Sequence, residues 1–538
     1  MSSESFCSPA ARNQTEVFAV HGADPEILAF AMAKYSRSAL SMRESLAEIG
    51  SQRASQFLNT FYFQYGHRSI ADLAHVAFAV ERLSLLAAIV LVDETRWDGQ
   101  ERSTRYQNFL KSGWFFPDFG EDSASAQLYS ATIQNLFAVY QRIDAAVLNL
   151  LRSRVPCPES LNPEACERTL RARAFDVARY LLPLATNTSL GQIVSARTLE
   201  TQVSRLLSHP AAEVRLLGEK LREAATGPAW NLNAQAAQSF VEKLAALNDD
   251  SAAPLAAEAA ALFIRDVKTA PTLVKYARAN DYLLQSQAEL EQAASDLLGD
   301  VPIADAPLVD LIERTESLEV ELAATLLYSA SHHPYRQIRD LLAGFPTSQV
   351  SEIVELGMRH RGKHDEALRA FQSGAALRFD ILMDIGGFRD MHRHRRCTQI
   401  VQGFTALHGY ESPGAADLPA EPGRDVDILF EAGVLTEYRS AIEAAHRASD
   451  RIAVKAGSKP ERSEALYLLP LATRVRALFK MDFAEAQYIA ELRSAPAGHF
   501  SYRRVAWEMY LALERQHPTL ARHIRVTDFT QPVDIFQR

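Results

Sequence analysis

The segment Tyr180-Leu181-Leu182-Pro183-Leu184-Ala185-Thr186 returns, residue for residue, as Tyr467-Leu468-Leu469-Pro470-Leu471-Ala472-Thr473. The copies lie 287 residues apart in a chain of 538, so the repeat is of domain size and not a short solenoid unit. The flanks agree. A helical stretch with apolar residues at three- and four-residue intervals precedes each copy, over 127–152 and 434–455. Another follows each copy and ends in an arginine and then a histidine: Arg205 and His209, then Arg493 and His499. Earlier in each half stands a glycine–histidine element, Tyr65-Gly66-His67-Arg68-Ser69 and Arg361-Gly362-Lys363-His364. Each precedes a segment of apolar and aromatic character, 76–83 and 370–385. Further upstream, Lys34-Tyr35-Ser36-Arg37-Ser38 has a counterpart in Leu327-Tyr328-Ser329-Ala330-Ser331.

The junction between the halves is softer. Residues 251–262 are Ala-rich, 285–298 read as a helix of good formers, and Val301-Pro302 to Pro307 carries two prolines. We place the junction near 295, giving domains 1–295 and 296–538. Most of the chain reads helical, with short strands expected at 16–20, 76–80 and 308–312.

Bulk properties narrow the class. Hydrophobic residues at 47% and charged residues at 23% fit a globular protein of more than one domain. A net charge of −9 argues against a general partner in nucleic-acid polymers or anionic membranes, so any anion site must be a local basic cluster. Residues 1–13 are polar and do not read as a signal peptide, and the longest clean apolar run, 85–92, is too short to span a bilayer. The four cysteines form no CxxC pair and no zinc-spaced set. No metal site is expected, and a reducing, cytoplasmic compartment is the simplest reading.

Three constellations carry chemistry. In Glu101-Arg102-Ser103-Thr104-Arg105-Tyr106, alternation puts Glu101, Ser103 and Arg105 on one side if the run is extended. A hydroxyl and a guanidinium together suit a phosphate monoester, although taken alone the run reads as a solvated polar loop. His392-Arg393-His394-Arg395-Arg396 is a strong local field on an acidic chain. It suits a pyrophosphate or dinucleotide, or complements the end of a helix dipole. Arg179, Arg205 and Arg493 stand on otherwise apolar helices, where a buried guanidinium needs an anion. For Arg179 an internal carboxylate such as Asp176 is the commoner answer, and His67 and His364 read most simply as structural histidines. No P-loop, GxGxxG fingerprint or serine elbow is present.

In this order, the pieces resemble the flavin-dependent thymidylate synthases (ThyX). That family has a Gly–His element, then Arg-His-Arg-x-x-Ser-x-Asn-Glu-x-Ser-x-Arg-Tyr, then Ala-Arg-x-x-Leu-Pro-Leu, and a late helix with an essential arginine. The resemblance covers most of the chain, once per half. The N-terminal half keeps Glu101, Ser103, Arg105 and Tyr106, then Ala178-Arg179 with Leu182-Pro183-Leu184, and Arg205 and His67. Val92-Asp93-Glu94-Thr95-Arg96 replaces its Arg-His-Arg. The C-terminal half keeps Arg393-His394-Arg395, with Thr398 for the serine, and Arg493. Residues 400–406 lack the Glu, Ser and Arg, and Leu466 stands where Arg179 would be expected. Other departures are Gln100 and Ile400 at the signature Asn, and Ser195 and Asp482 at the Asn of the last helix.

The resemblance implies an α+β, helix-rich fold of two tandem ThyX-like domains forming a pseudo-dimer. Because the family builds its active sites between the subunits of a homotetramer, it also implies a homodimer acting as pseudo-tetramer. The implied activity is C5 methylation of deoxyuridylate (dUMP). Methylenetetrahydrofolate would donate the carbon and NADPH-reduced FAD the hydride. Glu101, Ser103, Arg105, Arg179 and Arg205 would bind the nucleotide, and Arg205 and His67 would act at the reacting groups. Arg393, His394, Arg395, Thr398 and Ser69 would hold the flavin. Two alternatives stand beside this. One is a flavin- or nucleotide-binding homologue with altered substrate or lost catalysis. The other is a helical interaction protein without a small-molecule site.

Overall fold

The computed structural model describes residues 22–34, 68–110, 112–232, 234–247, 251–313, 317–362, 368–371, 377–416, 418, 426–454, 463–522, 524–531 and 534–536. The strand expected at 16–20, His67 and His364 lie outside these residues.

In the N-terminal repeat, β1 (His75–Ser84) runs into a short apolar helix, α1 (Leu85–Leu91). Ser84 caps it by accepting the N–H of Ala87. β2 (Asp98–Glu101), α2 (Ser123–Arg154), α3 (Pro163–Ala178), β3 (Asn187–Ser195) and α4 (Ala196–Leu207) follow. The sheet order is β1-β3-β2, with Glu101 opposite Leu190 on antiparallel β3. The C-terminal repeat follows the same plan. Its elements are β4 (Val309–Leu311), β5 (Leu377–Asp384), α5 (Ile385–Met391), β6 (Thr398–Val401), α6 (Leu435–Val454), β7 (Arg474–Met481), α7 (Phe483–Ser494) and α8 (Phe500–Gln516). Its sheet is antiparallel, in the order β4-β5-β7-β6.

The seven-residue repeat is where the two halves join. Leu184 donates its backbone N–H to Leu469 at 2.9 Å, and Leu471 donates to Leu182 at 2.9 Å. Ala185 donates to Tyr467 at 2.9 Å, and Ala472 to Tyr180 at 3.1 Å. Each bond has its repeat-related twin, so an approximate twofold passes beside the facing Pro183 and Pro470. The same segments anchor the short helices: Leu85 donates to Thr186 and Ile385 to Thr473. Tyr180, Leu181, Leu182, Leu468, Leu469 and Leu471 are all buried in one apolar core that draws on both repeats. On α2, Tyr129, Ile133, Leu136, Tyr140, Ile143, Val147 and Leu151 make a buried seam at three- and four-residue steps. The fold is thus helix-rich α+β, and its pseudo-dimer is written into a single chain.

Expected helices 127–152 and 434–455 correspond to α2 and α6, 285–298 to the helix Asp281–Leu298, and the Ala-rich 251–262 to the helix Ala252–Phe263. Strands expected at 76–80 and 308–312 fall in β1 and on β4. The charged strand β7 is not announced by its sequence, because Arg476 and Lys480 read as exposed. Both are buried, Arg476 against Asp380 at 3.2 Å and Lys480 against Glu321 at 3.2 Å. A disulfide joins Cys157 to Cys166, with a Cα separation of 6.0 Å. The cysteine spacing does not announce it; the turn before α3 doubles the chain back on itself and brings the two cysteines together.

The chain divides into two compact units. One comprises Met1–Val76, Val194–Glu200 and Leu221–Ala277, the other Ala77–Ile193, Thr201–Lys220 and Arg278–Arg538. In the first, the buried Glu26 accepts the backbone N–H groups of Thr272 and Leu273, both at 2.8 Å. The second contains the paired heptapeptides and the site residues discussed below, apart from Ser69. Among the described residues no helix is long and apolar enough to cross a membrane.

Candidate functional site

Arg105 leaves β2 in a turn in which Ser103 accepts its backbone N–H at 3.2 Å. Its guanidinium grips Asp176 of α3 through two bonds, Nε to Oδ1 at 2.7 Å and Nη2 to Oδ2 at 2.8 Å. The remaining nitrogen, Nη1, donates to the Tyr502 hydroxyl on α8 at 2.9 Å. Burial opposes the charge, but Asp176 outweighs it and holds Arg105 protonated. Asp176 is therefore the partner of Arg105. Arg179, which the sequence assigns most simply to Asp176, instead donates to Asp390 at the end of α5, at 3.2 Å.

Arg179 is 1% exposed, yet its Nε and Nη2 have no hydrogen-bond partner. Arg389 donates to Glu101, and its Nε is also buried without a partner. Arg173 adds another buried cation, 3.8 Å from Asp176. Arg105, Arg173, Arg179, Arg389 and Arg493 thus face Asp176, Asp390 and Glu101, with Asp384 the next carboxylate. The cluster carries uncancelled positive charge and unfilled N–H donors, which is the chemistry of an anion site.

The basic run continues it. His394 is buried; its Nε2 accepts from Arg493 Nε at 2.7 Å, and its Nδ1 faces Glu485 at 3.4 Å. Burial, then the neighbouring arginines, push His394 down to about 3, so the ring is neutral. Arg493 lies 5.4 Å from the Tyr502 ring, which links it to Arg105. Arg395 stacks on Trp97 at 4.8 Å and donates to the carbonyls of Val92 (2.7 Å) and Glu94 (2.9 Å). Arg205 donates from Nε (3.0 Å) and Nη2 (2.8 Å) to the Glu94 carboxylate. Burial pushes Glu94 up, against the pull of Arg205. Asp93 pairs with Arg369 and faces His392 at 3.4 Å. Burial raises Asp93, but Arg369, His392 and Arg205 outweigh it and leave it low.

The acidic stretch Asp93-Glu94, which replaces Arg-His-Arg in the first repeat, therefore lies against the basic run of the second. The space lined by Asp93, Glu94, Arg369, Arg395 and Thr398 is about 20 Å³, room for one water and not a pyrophosphate. Arg395 and Thr398 do not line a flavin-sized space, and Arg205 is already neutralised. Arg393 is exposed and has no ion pair among the described residues. Ser69 lies in the 3-10 helix Arg68–Leu73. A larger cavity of about 570 Å³ opens beside Tyr180, Glu411, Phe500 and Phe529.

The residues that sequence reasoning passes over are Asp390, Arg389, Arg369 and Tyr502. Asp390 and Arg389 could have been found as the two residues just upstream of Met391 and the basic run. Tyr502 gives no signal, because only the fold of α8 brings it to Arg105.

The family model described as thymidylate synthase complementing protein matches residues 17–227 and again 310–519. The chain belongs to the thymidylate synthase complementing protein family. Its double-length form is shared. A UPF0159 protein of Chlamydia muridarum is 27% identical over 535 residues, covering 94% of this chain and 91% of its own length. One of Chlamydia pneumoniae is 27% identical over 548 residues, covering 96% and 92%. One of Thermoplasma acidophilum is 22% identical over 529 residues, covering 92% and 94%. Among solved structures, the flavin-dependent thymidylate synthase ThyX of Helicobacter pylori, complexed with FAD and dUMP, is 17% identical. The match covers 38% of this chain and 89% of that one, with a TM-score of 0.23. For this member of the thymidylate synthase complementing protein family, the division of motifs between repeats has a physical counterpart. Arg105 and Arg179 of one repeat meet Asp390, Arg493 and Tyr502 of the other.

Proposed function

We propose that the protein is a flavin-dependent thymidylate synthase, methylating deoxyuridylate at C5. One observation carries this reading. Signature residues from both repeats meet in a single buried network in which guanidinium groups outnumber carboxylates. A phosphate monoester fits the deficit, since Arg179 and Arg389 hold unfilled N–H donors. Ser103 holds the turn that carries Arg105, and Glu101 positions Arg389. On the flavin side the fit is narrower. Arg393 is free to meet a pyrophosphate, whereas Arg395 and Thr398 would require Asp93-Glu94 to move. When bound, FAD reduced by NADPH supplies the hydride, and methylenetetrahydrofolate supplies the carbon. The chain's own work is to bind and orient the nucleotide and to present fixed positive charge to the pyrimidine.

The reading includes a repeat junction near residue 295 and a homodimer acting as pseudo-tetramer, with molar mass by light scattering as its test. A second reading is favoured by the Glu94–Arg205 pair. It makes the protein a nucleotide- or flavin-binding relative with altered substrate or lost catalysis. Purified protein separates the two. Flavin absorbance together with thymidylate formed only when deoxyuridylate and methylenetetrahydrofolate are both present supports the synthase. Binding without turnover supports the relative. Colourless protein that takes up neither added flavin nor deoxyuridylate overturns both.

A further inference from the structure

The two late arginines are related by the repeat but differ in their electrostatics. Arg205, on α4, gives two hydrogen bonds to one carboxylate oxygen of Glu94 and is cancelled by it. Arg493, on α7, gives its Nε–H to the ring of His394 at 2.7 Å. A ring nitrogen that accepts a hydrogen bond carries no proton, so this partner is neutral. Arg493 has no ion pair with any carboxylate among the described residues, and it lies close enough to Asp390 to help lower that carboxyl. Its guanidinium faces the Tyr502 ring, whose hydroxyl is held by Arg105.

The rest of the machinery divides the same way. Glu101, Ser103, Arg105 and Arg179 gather on the Arg493 side, directly or through Asp390 and Arg389. Their repeat-related counterparts are Val401, Gly403, Thr405 and Leu466, none of which can carry charge or fork a phosphate. A site built around Arg205 would lack that phosphate clamp, and its own arginine is already paired with Glu94.

We propose that each chain has one deoxyuridylate site, in which Arg493 and not Arg205 meets the pyrimidine, and that Glu94 has converted the repeat-related second site into an internal ion pair. The proposal rests on the nucleotide reading above and adds to it which arginine acts and how many sites exist. An arginine without a counter-charge can stabilise negative charge that develops on a pyrimidine oxygen; one already neutralised cannot.

Calorimetric titration of deoxyuridylate into the full chain tests it. The parent should bind one equivalent per chain. Arg493→Gln should weaken binding by about tenfold or more, as loss of a charged hydrogen bond does, while Arg493→Lys recovers part of it. The double variant Glu94→Gln/Arg205→Gln removes the second pair without stranding a buried charge. It should bind within about twofold of the parent, since a neutralised pair contributes nothing to the ligand. Two equivalents per chain would overturn the proposal, as would loss of affinity in the double variant matching that of Arg493→Gln. A parent that binds no deoxyuridylate at all sinks the nucleotide reading itself, and this inference with it. A parent that binds normally while the variants misbehave sinks only the inference.

Discussion

The helices α4 and α7 occupy the same place in the two repeats and each carries an arginine in its last turn, yet Arg205 meets an acid and Arg493 meets a neutral imidazole. The contrast extends to the short helices. At the start of α1, Ser84 is the cap and donates to the carboxylate of Glu213 at 2.6 Å. At the start of α5, Asp384 is the cap and accepts from the hydroxyl of Ser501. The same carboxylate–hydroxyl pair is kept, with the two groups exchanged between helix start and partner. Duplication preserved the backbone, with its paired Pro183 and Pro470, and left the side chains free to specialise. One repeat is acidic where the other is basic, and the two stretches lie against each other.

The largest effect expected on this comparison comes from Arg105. Arg105→Ala strands the buried Asp176 and should destabilise the protein by about 3–5 kcal/mol in urea unfolding. It should also weaken deoxyuridylate binding, whereas Arg393→Ala should weaken flavin binding instead. If neither substitution changes either ligand, the two repeats do not divide the work.

Asp384 comes next. Burial pushes its carboxyl up to about 6. An acid raised on folding contributes its stability while protonated; that contribution is full below about pH 4 and is lost as the pH rises through the folded value. Asp384→Asn retains a capping oxygen and abolishes the titration. Its stability relative to the parent should therefore rise by roughly 2–3 kcal/mol between about pH 4 and pH 8. A flat difference would mean that Arg179 and Ser501 hold Asp384 ionised throughout.

Glu94→Gln should cost less, about 1–3 kcal/mol, because the charge-assisted bonds to Arg205 weaken while one amide acceptor remains. His394→Gln should cost no more than that, since the imidazole is already neutral. Equal and large losses at both positions would erase the electrostatic distinction between the repeats. The smallest effect belongs to Glu437→Ala. Its exposed pair with Arg142 ties α6 to α2 across the repeats and should contribute under about 1 kcal/mol, less in high salt.

Much of the site was legible as a set of residues and little of it as a set of contacts. Arg105, Arg179, Arg493 and the basic run could be singled out because isolated cations in apolar surroundings are costly. Their partners could not. Asp176 was assigned to Arg179 by nearness in sequence, and helical geometry gave it to Arg105 instead. Arg205 looked like the equal of Arg493 because a repeat compares residues and not their neighbours.

By itself, the sequence determined the duplication, the helix-rich α+β class and the paired motifs, because each depends on identity and periodicity along the chain. Only the tertiary structure decided that the heptapeptides hydrogen-bond to each other, that Asp93-Glu94 lies against the basic run, and that Arg205 is paired with a carboxylate while Arg493 is met by a neutral imidazole. The reason is electrostatic. A guanidinium's charge is written in the sequence. Whether that charge is cancelled depends on a carboxylate a few ångströms away, which here comes from a distant part of the chain or from the other repeat.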